Sequence, residues 1–478
     1  MSRGNLLRLA ATVAILAGWV FVGGGAKYPE VVSASSAGPI YSSGQPPQLS
    51  AEGDMCQWEP ARTGGTTAAA LLTQASANAP QARGSDENIR TVDFSQRKPI
   101  RKIHDSYSAF SSVAVDPVSN EVVFTDENLF SILTYDRLTN TPATATMSEP
   151  KRRIGGLKTD IEFQCALYID PKSGDIYAVN NDTQGRLVIF SRQANGDVPP
   201  NRHISTPDGT FGIAVNEEHQ ELLLSLQHPN AVVTYRKMAS GDEAPIRLLQ
   251  GDRTLLADPH GMALDSKHDI IFVTNHGSVH SVTPSPRRKT QDPNLPMTSD
   301  YRRGFGKEFW PVGYNFAIEE SIPGSGRNLP PSITVYARDA AGDTPPLRII
   351  RGPKTRLNWP TALAYDPRTD ELFVANDMLD EVLVFNATAD GDVAPIRMIK
   401  GPKSRIKNPT GIFLDLEHDE LWVANFGNHT ATVYKSSASG DAPPLRIIRT
   451  GPEKEPTLMI GNARIAYDTK REEVLVPN

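Results

Sequence analysis

The sequence predicts an all-β fold: a seven-bladed β-propeller of four-stranded blades, closed by strands from both termini. Two observations lead to it. A strand–turn–strand pattern recurs along most of the 478 residues, and an incomplete copy stands at each end of the patterned region. The full unit is clearest in two neighbouring copies, PTALAYDPRTDELFVANDMLDEVLVFN (Pro360–Asn386) and PTGIFLDLEHDELWVANFGNHTATVYK (Pro409–Lys435). Each reads as an apolar strand ending in Asp, a turn, a second strand ending in Asn, and a third strand that ends near an aromatic residue. The strands are short and almost continuously apolar, as expected of a sheet covered on both faces. A fourth strand follows in GDVPPNRHI (Gly196–Ile204), GDEAPIRLL, GDTPPLRII, GDVAPIRMI and GDAPPLRII. There Gly-Asp supplies the turn and Pro suits an outer edge strand.

The Asp or Asn closing the first strand recurs at residues 116, 170, 216, 265, 366, 415 and 468, at intervals of 46–54 residues apart from one of 101. The long interval is read as an insertion at 280–331 within the blade of Asp265, because the strand pattern is missing there and resumes at Ser332. The final unit, Gly461–Asn478, matches only the first two strands. Asn88–Ile103 matches the third and fourth, so a seventh blade assembled from both ends is expected to close the ring and leave no sheet edge.

Composition fits this reading and narrows the function. Gly (36) and Pro (38) supply turns, and 49 Lys+Arg against 55 Asp+Glu give a net charge of −6, which argues against a nucleic-acid partner. Two cysteines, Cys56 and Cys165, are too few for a disulfide framework. A single pair formed in an oxidising compartment, or one buried and one incidental thiol, are both compatible with them.

Ahead of the repeats, residues 1–26 carry Arg3 and Arg8, an apolar run from Leu9 to Val22, and small residues at Gly24-Gly25-Ala26. This reads as a signal peptide or an N-terminal anchor, the run being short for a membrane span. A secreted, periplasmic or cell-surface location is expected, with membrane contact only through such an anchor. Residues 27–87, rich in Ser, Ala, Gly, Pro and Gln, read as a low-complexity disordered linker, and 88–478 as the propeller.

The repeat map places Asp126, Asn180, Asn275, Asn376, Asn425 and Asn478 in a ring at the ends of the second strands, on the face where a propeller usually binds its ligand. The third blade has Leu226 at this position, followed by Gln227 and His228. Such Asn and Asp residues can satisfy turn backbone, and they can also offer oxygen ligands to a hard cation such as calcium. His260 and His276 come from adjacent loops at one end of one blade, with His228 next door. Together they are candidate ligands for a transition metal such as zinc. The insertion leaves from the same face and carries basic and aromatic residues, Trp310 among them, suited to gripping a ligand. No G-x-S-x-G elbow, Walker loop, CxxC or dinucleotide fingerprint is present.

The P-x-G-I-x-x-D and V-A-N elements within a four-strand unit resemble NHL repeats, and more loosely the seven-bladed lactonase-like propellers of exported bacterial proteins, over 88–478. The resemblance implies the fold more than an activity. Lactonases of that kind use a Glu among Asn/Asp ligands, for which only Glu127 offers itself here. Zinc-dependent NHL-type lyases use channel-mouth histidines. The expectation is therefore a binding or interaction scaffold for a protein, peptide or glycan. The alternative is a metal-assisted lactonase, hydrolase or lyase acting at the channel mouth.

Overall fold

The computed structural model describes residues 105–181, 185–207, 209–279, 282–284, 319–321, 327–458, 466–468 and 473–475. Among them are six four-stranded antiparallel sheets, spanning 110–154, 164–205, 210–250, 259–351, 360–399 and 409–449. In each, the strands pair in chain order from the innermost outward. The fourth sheet skips from Ile270–Asn275 to Ser332–Ala337, the two strands that flank the insertion.

The ring closes with six blades, which corrects the seven expected. Each innermost strand lies against that of the next blade, and Pro409–Asp415 of the sixth lies against Phe110–Asp116 of the first. At the junctions where the inner strand carries Gly, the backbones approach closely. A Cβ added to Gly261 would stand 2.6 Å from the Ala362 Cα, and one added to Gly411 would stand 2.6 Å from the Ser112 Cα. Gly261 and Gly411 are thus required where their strands press on the next blade, and the sixth-to-first contact repeats the fourth-to-fifth.

Six apolar clusters, one between each pair of neighbouring blades, form the core. The cluster closing the ring joins Phe110, Phe124 and Tyr135 to Trp422 and Val433. Alternation along a strand explains the continuous apolar runs, because successive side chains enter opposite clusters. Leu372 and Val374 face the fourth blade, whereas Phe373 and Ala375 face the sixth.

Polar bonds follow the same circuit. The Gly of each Gly-Asp turn bridges the fourth strand of the preceding blade, as in Ile350↔Gly391 and Ile399↔Gly440. The first blade has no such turn. Its Thr141 and Ser148 instead donate backbone N–H groups to the Ile447 and Arg449 carbonyls of the sixth, at 2.8 and 2.9 Å. Nearby, Asp105 accepts the Leu458 N–H (3.0 Å) and lies 3.2 Å from His429 Nε2, so the two ends of the described ring meet.

Among the described residues, no strand from the termini takes part in this closure. The pattern in Gly461–Asn478 does form a two-stranded ladder, Ala466–Asp468 with Glu473–Leu475, but as a separate sheet. The strands expected at 88–103, the linker 27–87, the segment 1–26 and Cys56 lie outside the described residues. Cys165 is buried in the innermost strand of the second blade. Among the described residues no helix is long and apolar enough to cross a membrane.

The fourth-strand arginines reach back across their blades. Arg152, Arg247, Arg397 and Arg446 pair with Glu121, Glu221, Glu371 and Glu420, each at the start of a second strand. Arg397 and Arg446 also lie over the rings of Phe373 and Trp422. Two guanidinium bonds from Arg152 pull the Glu121 carboxyl down to about 2.

Candidate functional site at the channel mouth

At one end of the ring, the loops between second and third strands meet the segments that lead into the first strands. Of the strand-end residues predicted from the repeat, Asp126, Asn180, Asn275, Asn376 and Asn425 lie there, buried and bonded to their own blade. The side-chain oxygen of Asn180, Asn275, Asn376 and Asn425 accepts the N–H of Glu162, Ala257, Asn358 and Lys407, at 2.7–3.2 Å. Their amide nitrogens are engaged as well: Asn180 donates to the Asp160 carbonyl (2.7 Å) and Asn275 to Thr334 Oγ1 (3.0 Å). Asn376 reaches Glu381 and Asn425 reaches Thr432, both at 2.9 Å. Asp126 accepts from Ala109 N (2.7 Å) and Ser131 Oγ (2.9 Å), while burial raises its carboxyl above the ordinary range.

The next residue in each loop has a different character. Its backbone is fixed by one repeated bond: Glu127, Asn181, Gln227, His276, Asp377 and Phe426 donate N–H to the carbonyls of Ala109, Phe163, Gly209, Asp258, Trp359 and Asn408, at 2.7–3.2 Å. Because the backbone bond holds the loop, the side chain is free to differ, and it does in all six blades. Only Gln227, His276 and Glu127 were singled out from the sequence. Asn181, Asp377, Asp258 and Trp359 were missed, because a search for repetition passes over the positions that vary.

These side chains connect across blades. Asn181 Nδ2 donates to Gln227 Oε1 (2.8 Å), and Gln227 Nε2 meets His260 Nε2 at 2.7 Å. His260 Nδ1 stands 2.9 Å from the Asp258 carbonyl, and Ser278 Oγ donates to the Asp258 carboxylate. The network assigns the proton of His260 to Nδ1, leaving Nε2 to accept from the glutamine. Burial lowers His260 to about 4 and holds His276 well below the usual imidazole value, so both rings are neutral near pH 7.

Four rings stack through this region. Phe211 lies 4.1 Å from His260, His260 lies 3.3 Å from His276, and His276 lies 4.9 Å from Trp359, centroid to centroid. Trp359 ends the stack with half its surface exposed, at 50%. Its φ of 53° is left-handed, as at the equivalent Asp258 (55°) and Asn408 (42°). Asp and Asn tolerate that region, whereas tryptophan does so at a cost of about 1–2 kcal/mol.

The predicted metal pair is therefore close, and Asp258, His260 and His276 offer ligand atoms within 4.8 Å of one another. Imidazole lone pairs lie in the ring plane, and these planes are only 19° apart in a face-to-face stack. Coordination of one ion by both rings would require one of them to rotate out of the stack. His228 follows Gln227 and packs close to Gly209, where an added Cβ would meet its ring. Trp310 and Asn478 lie outside the described residues.

The base of the insertion rises from this face. Gly277 donates to the Ala257 carbonyl, Ser278–Val279 pairs with Arg327–Asn328, and Val282–Pro284 pairs with Glu319–Ser321. The described stem is thus an antiparallel ribbon rooted one residue beyond His276.

No protein-family model matches the chain, and no curated protein matches it. Among solved structures, a chain of Kuenenia stuttgartiensis hydrazine synthase is similar over 71% of this chain and 99% of its own, at 11% identity and a TM-score of 0.43. The propeller architecture described above rests on strand pairing and ring closure, independently of that likeness.

Proposed function

We propose that this chain is an exported, NHL-like propeller that serves as a binding scaffold, taking a protein, peptide or glycan through its channel-mouth face and the 280–331 insertion. One observation carries the reading. The repeated strand-end residues are consumed by backbone bonds, whereas the next position carries a different side chain in every blade, and the ribbon of the insertion starts on that same face. Uniform positions build a ring, and varied ones give it a recognition surface.

The stem makes the test simple, because Pro284 and Glu319 are paired and a short Gly-containing turn can join them. The full chain and the variant lacking 285–318 are compared on peptide and glycan arrays. The expected result is a bound class that the variant loses while its melting temperature stays the same. Equal binding by both, or none by either, contradicts the reading.

The proximity of Asp258, His260 and His276 favours a second reading, a metal-assisted hydrolase or lyase at the same mouth. It requires the His260–His276 stack to open. Stoichiometric zinc or calcium in the purified chain, removed by His276→Ala, would favour it over the scaffold.

A further inference from the structure

We propose that the channel mouth binds an organic cation, an ammonium or guanidinium group, against the exposed face of Trp359 and beside the carboxylate of Asp377. The inference rests on the scaffold reading and deepens it by naming the ligand's chemistry.

The indole is held from behind. Its inner face stacks on His276, which in turn stacks on His260, so the ring is backed by two imidazoles. Half of the Trp359 surface stays exposed on the side away from the stack, and an aromatic face attracts cations through its quadrupole.

Asp377 is tied to the Trp359 backbone, its N–H bonded to the Trp359 carbonyl at 3.1 Å. The Asp377 Oδ1 is buried with no hydrogen-bond partner, and burial raises the carboxyl to about 6. Asn408 bonds this carboxyl, and the charges that act on it are Asp380, which raises it, and Lys407, which lowers it. Lys407 is itself paired with Asp380 at 2.8 Å. His276 adds a second open polar atom: it is 8% exposed and its Nε2 has no partner.

Charge and donor balance select the ligand. The two residues of the repeated backbone bond give twelve positions around the mouth, and these hold Glu127, Asp258 and Asp377 but no Lys or Arg. At these twelve positions an anion would find carboxylates and no cationic side chain. A neutral sugar needs donors as well as acceptors, and the amide donors of Asn181 and Gln227 are already spent on Gln227 and His260. What remains is an aromatic face with the open oxygen of Asp377, which a cation satisfies.

The test is calorimetry on the full chain near neutral pH with choline, Nα-acetyl-arginine amide and Nα-acetyl-lysine amide. The uncharged choline isostere 3,3-dimethylbutanol and the neutral sugar cellobiose serve as contrasts. At least one cation is expected to bind about tenfold or more tightly than either neutral probe, and to weaken with added salt. Trp359→Ala should lose about tenfold, and the isosteric Asp377→Asn about three- to tenfold with its fold intact. A preference for the amino-acid amides assigns the cation to a peptide side chain, and a preference for choline assigns it to a small molecule.

The proposal is overturned if no cation binds below about 10 mM, if a neutral probe binds equally well, or if both variants bind unchanged. The chain lacking 285–318 should still bind the cation. The array result and the cation result can therefore fail separately.

Discussion

A carboxyl that is buried beside another acid and has an oxygen without a partner, like Asp377, weakens the fold in its ionised form. The native chain holds this proton up to about pH 6, while the unfolded chain releases it near the ordinary value of 3.8. Native protein therefore binds more protons across that window, and stability falls as pH rises through it. Asp377→Asn removes the charge at constant shape. It should raise stability above pH 7 by an amount on the order of 1–3 kcal/mol, seen as a higher melting temperature, and leave both unchanged below pH 4. Thermal scans at both pH values check this, and an equal gain at both would contradict it. A carboxylate kept at such a cost is more readily understood as a binding group than as a structural one. The strand-end Asn and Asp ring was legible in the sequence because it repeats, and its backbone bonds account for that repetition. Asp377 and Trp359 occupy variable positions, and would have emerged only from comparing the repeats at the residues that differ.

At the scale of the element, the P-x-G opening of the inner strand joins a sequence motif to a packing rule. The Gly411 backbone presses on the Ser112 Cα, so Gly411→Ala places a methyl group where no flexible side chain can yield. Overpacking of this kind costs about 1–3 kcal/mol. Chemical denaturation should show that loss, and an unchanged midpoint would mean that the sixth and first blades do not touch. Strand order and the turns were legible in the sequence, since each depends on local chemistry, whereas the prolines expected in the outer edge strand precede it: the fourth strands begin at the following Arg, as in Arg397–Ile399 and Arg446–Arg449. The cross-blade arginine pairs were less so. Arg397 reaches Glu371 at the start of the second strand, twenty-six residues earlier, and only the register of the folded sheet brings them together. The pairing of His260 with His276 did follow from the repeat map, because both stand at one end of one blade. Their face-to-face stack, which turns the lone pairs away from a common point, depends on Phe211 and Trp359 from the neighbouring blades.

For the whole molecule, the number of blades is decided by contacts between distant residues. The strands 466–468 and 473–475 carry the repeat pattern and do pair, so counting patterns gives seven. Closure depends instead on the cluster that joins Phe124 to Trp422, on the Arg137–Glu420 pair at 3.0 Å, and on Asp105 accepting from Leu458. None of these leaves a periodic trace in the sequence. A closed ring of six blades has an inner strand from every blade at its axis, and it gathers the six variable mouth positions onto one face. The functional reading depends on that arrangement. The most direct test is the thermal unfolding of residues 105–458 alone. The six-bladed ring predicts a single cooperative transition within a few degrees of the full chain, about 1 kcal/mol or less. A chain that fails to fold, or melts far lower, would show that the terminal segments complete the ring and would contradict the account.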